Sequence, residues 1–259
     1  MIRLVALNVH PLKSASGTGV DEAVLTDKGL AHDREFMLVD DRGVFLSQRR
    51  HPRMALLRTA YDGEVLSVNG FVHKPVDDGE VREVTVHKAS CLGVDQGDEA
   101  AAYFSGFLGT ECRLVRFTGS RATGRGGGEL AFADGYPLLV VSQESLDDLN
   151  GRLDEAVPMD RFRPNLVFSG LGAFEEDGVR RLRVGETEIE IVKPCGRCAI
   201  TTVDQETGEK GREPLATLAA YRARHYEGRR QAMFGQNAIP RVTGNLKVGD
   251  PVEVLEYKA

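Results

Sequence analysis

Over the first ninety residues, apolar positions come in short runs separated by turn chemistry, and this pattern predicts strands rather than helices. Strands are predicted at Leu4 to Val9, Glu35 to Val39, Leu56 to Ala60, Val65 to Val68 and Glu83 to His87. The breaks are Asp40-Asp41-Arg42-Gly43, Asp62-Gly63, Asn69-Gly70 and Asp78-Gly79. There Gly and Asn accept positive φ and Asp bonds its own backbone. That spacing predicts an antiparallel barrel or sandwich. The period then changes: Asp98 to Leu108 reads as an amphipathic helix, with Asp95 placed to cap it and Gly109 to end it.

Gly119 to Gly128, rich in glycine with two arginines, lacks the Gly-Lys-Ser/Thr ending of a P-loop and the Gly-x-Gly-x-x-Gly spacing before a helix. It is read as a mobile linker at a domain boundary. Beyond it a strand is predicted at Leu138 to Val141. A helix follows that Ser142 caps and that carries Leu146, Leu149 and Leu153 on one face. Further strands are predicted at Asn165 to Ser169, Leu182 to Val184, Glu188 to Val192 and Ala199 to Val203. Glu213 to Arg224 reads as a helix with Pro214 in its first turn. Val248 to Glu256 repeats the strand-turn-strand pattern of Val184 to Val192, so two hairpins point to a second β-rich barrel.

Composition narrows the function classes. A chain of 259 residues with 41% hydrophobic and 28% charged residues is globular, not disordered. Its net charge of -6, with basic residues scattered among acids, argues against a nucleic-acid partner. No apolar run approaches the length of a membrane span, and the run from Met1, broken by Asn8, His10 and Lys13, reads as too short for a secretion signal. A cytoplasmic location is expected. Four cysteines, Cys91, Cys112, Cys195 and Cys198, are too few to staple such a chain, and in a reducing compartment they should be thiols.

The chemistry concentrates in Lys193-Pro-Cys195-Gly-Arg197-Cys198-Ala-Ile-Thr201-Thr202-Val-Asp204. A structural zinc site would need four ligands, and Cys91 and Cys112 lie far away with no paired histidines to complete it. A thioredoxin-like dithiol would favour a helix after the first cysteine, whereas Ala-Ile-Thr-Thr-Val prefers a strand. The six histidines are dispersed and match no metal-binding spacing. Ser142-Gln-Glu-Ser145 has no nucleophile-elbow glycines, and Asp147-Asp148 reads as a solvated helix face.

The same segment, with Thr207-Gly208 and Glu213 to Leu218, resembles the cofactor-ligand signature of MOSC proteins of the amidoxime-reducing type. His10-Pro-Leu-Lys13-Ser14, Asp33-Arg34 and Phe45 to Arg53 resemble the β-barrel domain that precedes MOSC in that group. Arg161-Phe-Arg163-Pro-Asn165, Phe234-Gly-Gln236 and Val248 to Val252 extend the likeness over essentially the whole chain. The resemblance implies a mostly β fold: an amino-terminal β-barrel domain over residues 1–118 and a MOSC β-barrel with peripheral helices over 119–259. It implies a molybdenum-molybdopterin cofactor in the crevice between them, with Cys198 as metal ligand and catalytic residue. Lys13, Ser14, Arg34, Arg163, Asn165, Arg197 and Asn237 match cofactor-contacting positions.

The implied activity is reduction of N-hydroxylated compounds, such as amidoximes or N-hydroxylated nucleobases, as molybdenum cycles between its four- and six-valent states. Some relatives continue into a ferredoxin domain, but no further cysteine cluster follows Cys198. Electrons are therefore expected from a separate ferredoxin- or cytochrome b5-type protein with its reductase. Asn237 stands where the amidoxime-reducing enzymes carry tyrosine, a departure that bears on substrate choice. The competing reading is a cofactor- or sulfur-handling protein in which Cys195 or Cys198 carries a persulfide.

Overall fold

The strand Arg3–Val9 turns Leu4, Leu7 and Val9 into a shared core and so becomes one stave of a barrel. In the computed structural model, which describes residues 1–258, strands dominate and three α-helices are peripheral: α1 Asp98–Leu108, α2 Gln143–Asn150 and α3 Leu215–Tyr221. The strands Val252–Tyr257, Val179–Val184, Thr187–Gly196, Arg229–Val242, Leu138–Ser142, Leu166–Ser169 and Arg3–Val9 lie side by side in that order. The two ends then meet. Arg3 bridges Pro251, the Leu4 N–H donates to the Asp250 carbonyl at 3.0 Å, and the Val252 N–H donates to the Ile2 carbonyl at 3.0 Å. Closure pairs edges that an open sheet would leave exposed. It encloses Leu7, Val140, Phe168, Leu182, Ile189 and Ala238. Among these barrel strands Leu138–Ser142 and Leu166–Ser169 are the parallel pair, as the α2 crossover between them requires.

A second β-rich body packs beside the barrel. It holds the four-stranded sheet Phe36–Val39, Arg113–Thr118, Ala89–Asp95 and Val81–Val86, a smaller sheet Thr59–Tyr61, Leu66–Val68 and Phe71–His73, and α1. The sheets do not divide at residue 118, because Arg3–Val9 is a barrel stave and Glu22–Thr26 pairs with Gly244–Lys247. The turn that carries Lys13 and Ser14 joins Arg3–Val9 to Thr18–Val20 within the barrel sheet and dips Leu12 and Ala15 into the core of the second body, which the chain enters between Gly29–Leu30 and Phe36–Val39.

Several local expectations are corrected. Ala199–Thr202 is a 3-10 turn, not a strand. The Thr201 hydroxyl donates to the Cys198 carbonyl at 3.1 Å and the Thr202 hydroxyl to the Ala199 carbonyl at 2.9 Å, local bonds that override β propensity. The first part of Leu56 to Ala60 closes a 3-10 turn, Pro52–Leu56, and only Thr59–Tyr61 is extended. Gly119 to Gly128 is no free linker. The Thr123 N–H donates to the Gly128 carbonyl at 2.8 Å, and the loop sits so close to Ile239 that a β-carbon at Gly128 would meet it at 2.7 Å. Val248 to Glu256 is not a hairpin, since Gly244–Lys247 and Val252–Tyr257 pair with different partners. Asp95 does not cap α1. Gly97 holds that position, and Asp95 ion-pairs with Arg82 and Arg113 instead. Helix α3 stops at Tyr221, and Ala223–Tyr226 turns back as a strand on Arg229–Val242.

Ser142 does cap α2, accepting from the Ser145 N–H. Beneath it lies Glu176, 1% exposed, which accepts from both hydroxyls at 2.8–3.0 Å. Burial pushes the Glu176 carboxyl up, and these hydrogen bonds only partly oppose it. An acid whose pKa rises on folding loses its proton first in the unfolded chain. Stability should therefore fall as pH climbs from the ordinary glutamate range through the raised value. Melting curves across that window should show this slope in the wild type and a flatter one in Glu176→Gln.

Candidate functional site

Where the Lys13 turn meets the barrel there is a cavity of about 160 Å³. Every residue singled out from the sequence lines it: Lys13, Ser14, Arg34, Arg163, Asn165, Arg197, Cys198 and Asn237. They arrive from five separate stretches of chain. Ser14, Arg34 and Arg163 all hold left-handed backbone, with φ of 66°, 50° and 57°. That conformation is uncommon for residues other than glycine and is retained where the surrounding structure enforces it.

The floor is cationic. Arg34 Nη1 donates to Asp33 Oδ2 at 2.5 Å and to Asn165 Oδ1 at 3.0 Å, and Nη2 reaches the Arg163 carbonyl at 3.3 Å. Asn165 is braced in turn, since its Nδ2 donates to the Asn8 carbonyl at 3.2 Å. Buried Lys13 pairs with Asp134 and lies 5.1 Å above the Phe45 ring. Burial lowers the Lys13 ammonium pKa more than Asp134 restores it. Asp134 meets the same desolvation, but Lys13 and His87 outweigh it and hold its carboxyl well below the usual range. Arg163, 9% exposed, donates only to the Ala15 carbonyl and has no ion-pair partner among the described residues. Burial, then the neighbouring Arg34, push its guanidinium down to about 9. His10, beneath Arg34, is driven down to about 3 by burial and by the two arginines, so it adds no positive charge.

The opposite wall carries the thiols. The strand Thr187–Gly196 runs into it, and a β-carbon at Gly196 would come within 2.1 Å of the Gln231 amide oxygen, so a larger residue there would displace that side chain. Cys195 Sγ is half-buried and accepts from Arg197 Nη1 at 3.0 Å, while Arg197 Nη2 donates to the Phe162 carbonyl at 2.7 Å. Cys198 is exposed at the mouth, with Arg49 Nη1 3.4 Å from its sulfur. Asn237 Nδ2 donates to the Pro194 carbonyl at 3.2 Å, and Tyr136 supplies an aromatic ring to the same cavity. Among the described residues no cluster of three His, Cys, Asp or Glu side chains could hold a bare metal ion.

Sequence reasoning passed over Arg49, Asp33, Asp134 and Tyr136. Arg49 and Asp33 lie inside segments that carried the family resemblance, which was the available signal. Asp134 and Tyr136 follow the glycine-rich loop and had none.

Residues 1–111 match the MOSC N-terminal beta barrel domain and residues 127–253 match the MOSC domain. The chain is 34% identical to the mitochondrial amidoxime-reducing component 1 of Mus musculus over 95% of its own length and 80% of the relative's. The corresponding Homo sapiens protein is 33% identical over 95% and 81%. The human mitochondrial amidoxime reducing component 2 is 34% identical over 94% and 81%.

Proposed function

The chain belongs to the MOSC family, in the group that carries the N-terminal β-barrel domain and includes the amidoxime-reducing components, and on that premise we propose that it is a molybdenum-cofactor-dependent reductase of N-hydroxylated compounds. The observation that carries this reading is the pairing of one exposed thiol, Cys198, with a buried cationic floor that lacks enough counter-charge of its own. A lone thiolate suits a metal that brings its other ligands with it. The guanidinium and ammonium groups with Asn165 and Ser14 suit a phosphate-bearing pterin, which would supply the missing negative charge. The donor set therefore fits the group.

When bound, the cofactor supplies two-electron removal of oxygen. Cys198 would ligate the metal, with Arg49 aimed at its sulfur. Lys13, Ser14, Arg34, Arg163 and Asn165 would hold the pterin and its phosphate, and Asp33 and Asp134 position Arg34 and Lys13. Arg197 holds the wall by bridging Cys195 to the Phe162 backbone. Asn237 and Tyr136 would face the substrate. In the net reaction the N–O bond breaks, two electrons and two protons are consumed, and an amidoxime becomes an amidine and water. Asp134, held ionised, is no proton donor. Electrons would come from a separate one-electron carrier protein, in two deliveries.

The test is the molybdenum and pterin content of protein made in a cofactor-producing host, followed by benzamidoxime reduction with reduced benzyl viologen. Near-stoichiometric metal with turnover is expected. Protein that carries neither metal nor pterin would sink the reading in favour of sulfur handling.

A further inference from the structure

The loop that contributes Arg49 is edged by charges that the site itself does not use. Arg50 and Arg53 are exposed, and neither has an ion-pair partner among the described residues, nor has exposed Lys210 on the facing segment. Several arginines elsewhere are paired, Arg116 with Glu35, Arg152 with Asp148, Arg183 with Glu188 and Arg241 with Glu190, while exposed Arg58, Arg212, Arg229 and Arg230 also stand without an ion pair among the described residues. The two segments touch: Lys210 Nζ donates to the Arg49 carbonyl, and a β-carbon at Gly208 would lie 3.5 Å from the Pro52 carbonyl. Of the nearby acids, Glu206 acts on Asp160, Glu209 shares with Lys210 a trench lined by Asp154 and Glu155, and Asp40, Asp41 and Glu111 share a pocket with Arg50. In a chain of net charge -6, Arg49 thus touches the exposed sulfur, Arg50 and Lys210 both act on His51, two residues on from Arg49, and Arg53 lies over the Phe107 ring. None of the four cations lines the cavity whose floor carries the phosphate-binding groups.

We propose that this rim, Arg49, Arg50, Arg53 and Lys210, is the docking surface for a small acidic electron-carrier protein. The inference rests on the reductase reading. Opposite charge at the mouth would steer an acidic carrier to the side where Cys198 is reachable, against the repulsion of the rest of the chain.

The test follows benzamidoxime reduction by molybdenum-loaded protein with three donors. These are reduced benzyl viologen, an acidic plant-type ferredoxin with its reductase, and an acidic cytochrome b5 domain with its reductase. With at least one carrier, the wild-type kcat/KM for that carrier should fall about tenfold between about 0.05 and about 0.3 M salt. Arg50→Glu with Lys210→Glu should lower it by about tenfold at low salt, while Arg50→Lys with Lys210→Arg stays within about twofold. Viologen-driven turnover should be unchanged in both. Viologen turnover with neither carrier active, or carrier kinetics unmoved by charge reversal, overturns the proposal. Where the reversed variant does not fold, a salt-insensitive wild type does the same. A molybdenum-loaded wild type without viologen turnover sinks the reductase reading itself, and the rim with it.

Discussion

Cys198→Ala is expected to give a folded protein that retains no molybdenum and reduces benzamidoxime at least about 100-fold more slowly than wild type, since loss of a metal ligand should cost no less than loss of its supporting contacts. The fold should survive because the side chain is exposed and its sulfur takes one hydrogen bond among the described residues, from the Arg49 guanidinium. Its backbone is in an ordinary extended conformation, φ -126° and ψ 179°, that alanine adopts freely. The 3-10 turn that follows hangs on the Cys198 carbonyl, which the substitution leaves in place.

Cys195→Ala is the informative contrast. Its sulfur is half-buried and occupied by Arg197, whose other nitrogen ties the wall to the Phe162 backbone. Losing that acceptor should loosen Arg197 and cost about 1 kcal/mol or less of stability, the net worth of one hydrogen bond, with metal retained. Metal analysis of the two variants beside their melting temperatures separates the roles. Metal kept in Cys198→Ala but lost in Cys195→Ala would reverse the ligand assignment. A persulfide on either thiol in intact-mass spectra of metal-free wild type would favour the sulfur-handling reading.

The candidate site residues were picked out because each sits in a short motif that resembles the family's, Lys13-Ser14, Asp33-Arg34, Arg163-Pro-Asn165 and Cys195-Gly-Arg197-Cys198, and the structure brings them to one cavity. The barrel was less legible. Arg229–Val242, its longest strand, has no clean alternation, because Ala232 to Gln236 are buried consecutively and its register against Thr187–Gly196 shifts three times. Neither a period of two nor one of 3.6 describes such a strand. Val248 to Glu256 failed for a different reason. Its turn chemistry is local and was read correctly as a turn, but strand partners are chosen by the closed barrel. Ala199–Thr202 shows propensity overruled by hydroxyl-to-carbonyl bonds that the residue types permit but do not announce.

Charge balance, invisible in a residue list, yields the second large effect. Arg163→Met is expected to empty the site while making the cofactor-free protein more stable. Folding buries this guanidinium with one backbone carbonyl as its partner and Arg34 as a like-charged neighbour. Asp33 is committed to Arg34, and Asp134 to Lys13 and His87. A base whose pKa falls on folding, here to about 9, binds its proton more weakly in the folded state. The penalty is therefore fully present at neutral pH and eases only as pH rises through about 9 toward the ordinary arginine value. Methionine is unbranched and of related length, so it occupies the same left-handed position without added backbone cost and removes the buried charge. Replacing buried ionic groups by apolar ones of similar volume is neutral or stabilising by about 1–4 kcal/mol in comparable sites, which corresponds to a rise of several degrees in melting temperature. The same substitution removes one fork from the phosphate-binding floor, so bound molybdenum and turnover should be lost together. Asp33→Asn should do the opposite to the cofactor-free chain. Leaving Arg34 buried without its carboxylate should cost about 3–5 kcal/mol. A cofactor-free Arg163→Met protein that melts below wild type would mean that Arg163 serves the fold through the Ala15 carbonyl, and that its charge is not held in reserve for an anion.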